Sequence, residues 1–205
     1  GVDAVELDVH LSSDGEIMVI HDPLLDRTTD HKGPVAHLSR AALAKVTLDD
    51  TLGETIPTLP EVLDVFGPTG IELEIEMKMD AYGNPYPGLL DKVIALVEAR
   101  KMASRVVLTC FVPEVIEEIR VKAPHMRRLA SVDRRSCEAF GGVDRTLQRF
   151  VDLGCIIAPN HVSAIDPVFV VITRFWGRRM IVFAKKELFE INALLTWFFR
   201  CMGAL

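Results

Sequence analysis

Glu6-Leu7-Asp8-Val9-His10 and Val19-Ile20-His21-Asp22 place carboxylates and histidines at spacings that can do chemistry. In an extended strand, residues two apart share a face, so Glu6, Asp8 and His10 point together. Two carboxylates side by side suit a hard divalent cation. His21 offers an imidazole, a side chain suited to proton transfer near neutrality. A hard cation beside a proton donor is the equipment for phosphoester chemistry. A lone Glu-x-Asp is weak evidence, because wet strand faces carry acids routinely. The second strand ending at His21-Asp22-Pro23 strengthens it. Pro23 stops that strand, and catalytic groups of parallel α/β folds gather at the carboxyl edge of the sheet.

A third acidic run follows, Ile71-Glu72-Leu73-Glu74-Ile75-Glu76-Met77-Lys78. Alternation puts Glu72, Glu74, Glu76 and Lys78 on one side. Two readings compete. As an edge strand, the run has a water-facing side and carries acids at no cost. As a buried parallel strand, it cannot hold three acids on one side without a cation. The second reading makes Glu76, nearest the carboxyl end, the third metal ligand.

The elements that must position these groups alternate. Strands are expected at Ala4–Val9, Glu16–His21, Gly70–Lys78, Arg105–Phe111, Met126–Val132, Cys155–Pro159 and Met180–Lys185. Helices are expected at Arg40–Val46, Leu59–Phe66, Gly88–Arg100, Pro113–Lys122 and Asp144–Leu153. Thr58-Leu-Pro-Glu61 reads as a capping box, and Pro113 fits a first helical turn. Strands alternating with helices predict an α/β fold with a parallel sheet, open or closed into a barrel.

The 205 residues are 49% hydrophobic and 25% charged, globular values for one large domain or two small ones. A net charge of -6 and the lack of a basic stripe argue against nucleic acid as a partner. Four scattered cysteines read as reduced thiols, which suits a cytoplasmic location. No apolar run reaches the roughly 18 residues that cross a bilayer.

The segment from Gly1 to Thr29 resembles the glycerophosphodiester phosphodiesterase family. The similarity continues through Ile56–Phe66 (IPTLPEVLDVF), Ile71–Lys78 and Val106–Arg120 (VVLTCFVPEVIEEIR). It implies a TIM (β/α) barrel that hydrolyses glycerophosphodiesters to an alcohol and glycerol 3-phosphate. It further implies that Glu6, Asp8 and Glu76 hold a divalent ion, Ca²⁺ or Mg²⁺, that His21 is an acid/base histidine, and that Lys78 faces the phosphate. The family's partner histidine lies in a His-Arg pair on a strand ahead of Gly1. The barrel is therefore expected to be incomplete, and the chain nearly inactive unaided. His10, His31 and His37 are read as surface or loop histidines. Cys110, where the family more often has serine, is read as a packing residue.

Past Ala158–Asn160 the chain becomes rich in Phe and Trp. Here Asn160-His161-Val-Ser163-Ala-Ile-Asp166 is an H-x-x-x-x-D arrangement. Alone it is as readily a loop histidine beside a helix-capping aspartate. With Phe183–Leu205 (FAKKELFEINALLTWFFRCMGAL) it resembles the glycerolipid acyltransferases, such as lysophosphatidate acyltransferase. The resemblance implies a His161–Asp166 catalytic dyad, acyl-CoA and a lysophospholipid as substrates, and a partial α/β acyltransferase segment over 159–205. Leu188–Leu205 reads either as a buried core helix or as one lying at the inner face of a membrane. The chain is thus expected to join two lipid-phosphate enzymes, 1–158 and 159–205. A non-catalytic scaffold is the remaining reading, and divalent-ion binding discriminates it.

Overall fold

The computed structural model describes residues 3–159, within a compact unit that runs to Ala158. Its centre is a six-stranded sheet in the order β2-β1-β3-β4-β5-β6. The strands are β1 (Ala4–Leu11), β2 (Ile17–Val19), β3 (Glu72–Met77), β4 (Val106–Cys110), β5 (Arg127–Val132) and β6 (Ile156–Pro159). The helices are α1 (Arg40–Leu43), α2 (Leu59–Phe66), α3 (Leu89–Ala99), α4 (Pro113–Lys122), α5 (Arg134–Ala139) and α6 (Val143–Asp152). Strands β1, β3, β4 and β5 run parallel, as the alternation of strands and helices predicts.

β2 departs from that expectation. It pairs antiparallel with β1, Val9 opposite Val19 and Leu11 opposite Ile17. The reason is length, since only Ser12–Glu16 joins the two strands and a parallel return needs a crossover of about a dozen residues. The turn is tied locally. Ser12 Oγ donates to Asp14 at 2.6 Å and accepts from the Glu16 amide at 2.9 Å, while Gly15 takes the left-handed φ of 81°.

The outer face of the sheet carries the apolar half of each alternation. Leu73, Ile75 and Leu108 are fully buried with Val93 and Val97 of α3, Ile116 and Ile119 of α4, and Phe150 of α6. The expected capping box forms: Glu61 Oε2 accepts from the Thr58 amide at 2.7 Å, and Thr58 Oγ1 accepts from the Glu61 amide at 3.4 Å. Pro113 opens α4, where no helical N–H is lost. The helix expected over Arg40–Val46 is a single turn, Arg40–Leu43, capped by Ser39. Helix α5 was not expected. It is held by Asp133, whose carboxylate accepts from the Ser136 amide at 2.7 Å while Ser136 Oγ accepts from the Asp133 amide at 3.0 Å. Among the described residues no helix is long and apolar enough to cross a membrane. The strand expected at Met180–Lys185, the Leu188–Leu205 segment, His161 and Asp166 lie outside the described residues.

Replacing Ile75, fully buried at the centre of β3, by alanine should cost about 2–5 kcal/mol. Val65→Ala, at a position 67% exposed, should change stability by no more than about 0.5 kcal/mol. Urea unfolding monitored by circular dichroism compares the two; equal shifts in midpoint would contradict the packing described.

Candidate active site

Pairing decides between the two readings of the acidic strand. β3 is central, flanked by β1 and β4, so its acids do not sit on a wet edge. The register sets Glu6 beside Glu74 and Asp8 beside Glu76, and continues from Glu76 to Thr109. Like charges thus face one another across two strands. Carboxylate oxygens of Glu6, Asp8 and Glu76 all come within 4.8 Å of one another. Asp8 is 9% exposed and Glu76 8%, whereas Glu6 opens to solvent.

The electrostatic consequence is a set of carboxyls that hold protons unusually well. Although the residue opens to solvent, partial burial of its carboxyl, then repulsion from Asp8, Glu76 and Glu74, raises the Glu6 pKa to about 7, with Lys78 opposing. Burial followed by the Glu76 charge pushes Glu74 upward as well. Glu76 is raised chiefly by burial, against the lowering effect of Lys78. Lys78 follows β3 directly, and its ammonium donates to Glu76 Oε1 at 2.7 Å and lies 3.2 Å from Asp8 Oδ1. Those partners raise its own pKa despite burial. Thr109 and Ser131 continue the polar interior, their hydroxyls 3.0 Å apart and both buried. Three carboxylates at this density, two of them withdrawn from water and sharing a single ammonium, fit a hard divalent cation.

His21 comes back toward this cluster on the returning β2, and the Ile20 amide donates to the Asp8 carbonyl at 3.1 Å. Its own charge lowers the Glu76 pKa, which puts the imidazole within electrostatic reach of the acids. His21 Nδ1 is 2.6 Å from Asp22 Oδ1, and the Arg27 guanidinium grips Asp22 with bonds of 2.6 and 3.0 Å. Arg27 and His21 together, against some burial, hold the Asp22 carboxyl down at about 2. With Nδ1–H given to Asp22, Nε2 is left for another partner. Asp22 and Arg27 had no assigned role in the sequence. The only available signal was the adjacency of Asp22 to His21.

His10 requires a correction. It shares the face of Glu6 and Asp8 as alternation dictates, yet it is fully buried and not a surface histidine. Nδ1 lies 3.0 Å from the Tyr86 hydroxyl, and Nε2 lies 3.2 Å from the His21 carbonyl. Burial lowers its pKa to about 4. His31 and His37 are exposed, as expected. Cys110 is buried, donates to the Met77 carbonyl at 3.2 Å, and has its thiol pushed up to about 12 by burial. That environment is structural, not nucleophilic. Cys110, Cys137 and Cys155 are all unbridged.

Comparison with known proteins bears on this arrangement. The model of the glycerophosphoryl diester phosphodiesterase family matches residues 1–150, and a second model, of acyltransferases, matches residues 143–205. A glycerophosphodiester phosphodiesterase of Caldanaerobacter subterraneus subsp. tengcongensis is 33% identical over 132 residues, covering 62% of this chain and 54% of the relative. One from Bacillus altitudinis is 38% identical over 117 residues, covering 54% of this chain and 47% of the relative. The chain therefore spans about half the length of these curated relatives. Among solved structures, a phosphodiesterase of Oleispira antarctica in complex with the product sn-glycerol-3-phosphate superposes with a TM-score of 0.70 at 25% identity. That superposition covers 99% of this chain and 79% of the other. The parallel sheet, the acids shared between β1 and β3, and a family match over residues 1–150 agree: the chain belongs to the glycerophosphoryl diester phosphodiesterase family.

Proposed function

We propose that this protein hydrolyses glycerophosphodiesters to an alcohol and glycerol 3-phosphate, using a divalent ion, Ca²⁺ or Mg²⁺, held by Glu6, Asp8 and Glu76. The observation that carries the reading is the convergence of those three carboxylates within 4.8 Å beside Lys78. An ion there supplies Lewis-acid polarisation of the phosphoryl oxygens and offsets the charge that grows on them. Lys78 adds a second positive charge on the same side, available to a phosphate oxygen once its carboxylate partners are otherwise engaged. A water oxygen bonds to phosphorus, losing a proton to solvent, as the P–O bond to the alcohol breaks and His21, protonated at Nε2, gives that proton to the departing alkoxide. Asp22 stabilises the imidazolium and fixes which nitrogen faces outward, and Arg27 keeps Asp22 from turning away. General acid catalysis of this kind is worth roughly 10²–10⁴-fold.

A second reading concerns residues 159–205: the acyltransferase match over 143–205 favours an acyl-transfer role there, and on that reading His161 and Asp166 would act on acyl-CoA and lysophosphatidate. Conversion of lysophosphatidate by the chain, lost in His161→Ala, is the expected outcome. No conversion by folded protein would count against it.

The phosphodiesterase reading has a direct test. Glu76→Gln should cut release of glycerol 3-phosphate from glycerophosphocholine by more than about 100-fold relative to the parent protein. Full activity would sink the assignment.

A pH dependence also follows. In the ion-free protein Glu6 titrates near 7 when folded and near 4.5 when unfolded. The folded state therefore binds more protons across that window, and its stability falls as pH rises from about 4.5 to about 7. Glu74 and Glu76 act in the same direction. Asp22 acts oppositely, in a separate window between its ordinary 3.8 and about 2. A divalent ion binds the deprotonated acids, so the melting temperature gained on adding Ca²⁺ should grow with pH over the upper window. Glu6→Gln should flatten both trends in thermal melts. A gain independent of pH would contradict the site.

A further inference from the structure

A fully buried histidine near the site has no role in the chemistry above. His10 is fully buried, and both its ring nitrogens are engaged by groups from different parts of the chain. The His21 carbonyl accepts only, so His10 Nε2 carries the proton and donates to it at 3.2 Å. His10 Nδ1 lies 3.0 Å from the Tyr86 hydroxyl, within hydrogen-bond distance. The two rings meet edge to face, with centroids 5.6 Å apart.

The loop that brings Tyr86 is itself braced. Met79 and Pro85 form a bridge across it, and Asp80 Oδ1 accepts from the amides of Tyr82 and Asn84 at 2.8 Å each. It begins directly after Lys78. His21, by contrast, sits in the irregular stretch beyond β2, with its side chain 66% exposed. Its ring is tethered by Asp22, and its backbone carbonyl by His10.

We propose that His10 is a positioning residue: a two-sided latch that clamps the His21 backbone to the Tyr86 loop and so fixes where the His21 ring stands relative to the Glu6–Asp8–Glu76 cluster. Two anchors on one residue, ring to Asp22 and carbonyl to His10, leave the imidazole little freedom. Without the second anchor the turn swings and carries the ring off Asp22. A displacement of about 1 Å in such a group costs roughly 10²-fold in rate. That His21 is the proton donor rests on the function proposed above; the clamp itself does not.

The test compares His10→Leu, His10→Gln and Tyr86→Phe by ¹⁵N imidazole spectroscopy of His21, with Ca²⁺ affinity measured by calorimetry on the same proteins. Spectra are recorded at a pH alkaline enough to leave the imidazole uncharged, where parent His21 should keep its remaining ring proton on Nδ1, the tautomer that bonding to Asp22 selects. In His10→Leu the two His21 nitrogen resonances should move toward each other as the tautomers mix. Tyr86→Phe should give a smaller shift of the same sign. His10→Gln, whose amide offers a donor and an acceptor at similar positions, should keep the parent spectrum. Ca²⁺ affinity should stay within about 3-fold throughout, because no carboxylate is touched.

Three results would overturn the latch. One is an unchanged His21 spectrum in His10→Leu. A second is Gln behaving as Leu, which would make His10 a space-filler. The third is Ca²⁺ affinity lost together with His21 order, which would mean that β1 itself had shifted. A parent protein that binds no Ca²⁺ yet shows the expected His21 response would support the latch while removing the phosphodiesterase reading.

Discussion

Repulsion among carboxylates on the inner face of two adjacent parallel strands is the constraint to which the rest of this structure answers. Glu6, Asp8, Glu74 and Glu76 are set opposite one another by strand pairing alone. Their geometry is therefore not a matter of flexible side chains finding each other. It is imposed by the ladder, and the ladder is held by the apolar faces of the same strands. Leu73 and Ile75 pack outward as firmly as Glu74 and Glu76 press inward. A strand cannot slip by one residue to relieve the charge without moving its whole apolar set into the interior. Core packing thus stabilises an arrangement that electrostatics resists.

The acids along β3 are each answered differently. Glu72 is paired with Arg127 of β5 at 3.0 Å. Among the described residues Glu74 has no such partner, and burial followed by the Glu76 charge makes it hold its proton more tightly. Glu76 has Lys78. The polarity of the interior therefore rises toward the end where His21 approaches. The approach is possible because the β1–β2 connection is too short for anything but a hairpin. The same shortness that defeats the expectation of a parallel β2 brings His21 back beside Asp8.

Much of this was legible in the residues. Period-two alternation in Glu6–His10 and Glu72–Lys78 named the faces, and those faces are the ones observed. Thr58, Glu61 and Pro113 marked helix starts because their signals are local, resting on bonds within one turn. Burial of His10 was not legible, because it depends on Tyr86, 76 residues away, and on the return of His21. The role of Asp22 escaped for a related reason: adjacency suggests a bond, but only the grip of Arg27 gives the carboxylate a fixed direction. Helix α5 was missed because Arg134–Ala139 is too short to show a helical period, and its evidence is a cap of Asp133 and Ser136 in place of the more familiar Glu or Gln.

Lys78 has a consequence for how the protein behaves when ions are scarce. Its ammonium already bonds Asp8 and Glu76, so the acidic cluster carries a resident cation supplied by the chain. Uptake of an external ion would then be an exchange, not the filling of a void. Its affinity would be the difference between two attractions, lower than the ligand set alone would give. The same exchange would protect the fold, because chelation would hand the carboxylates back to a lysine already in place. Depletion of divalent ions would idle such a protein without dismantling it.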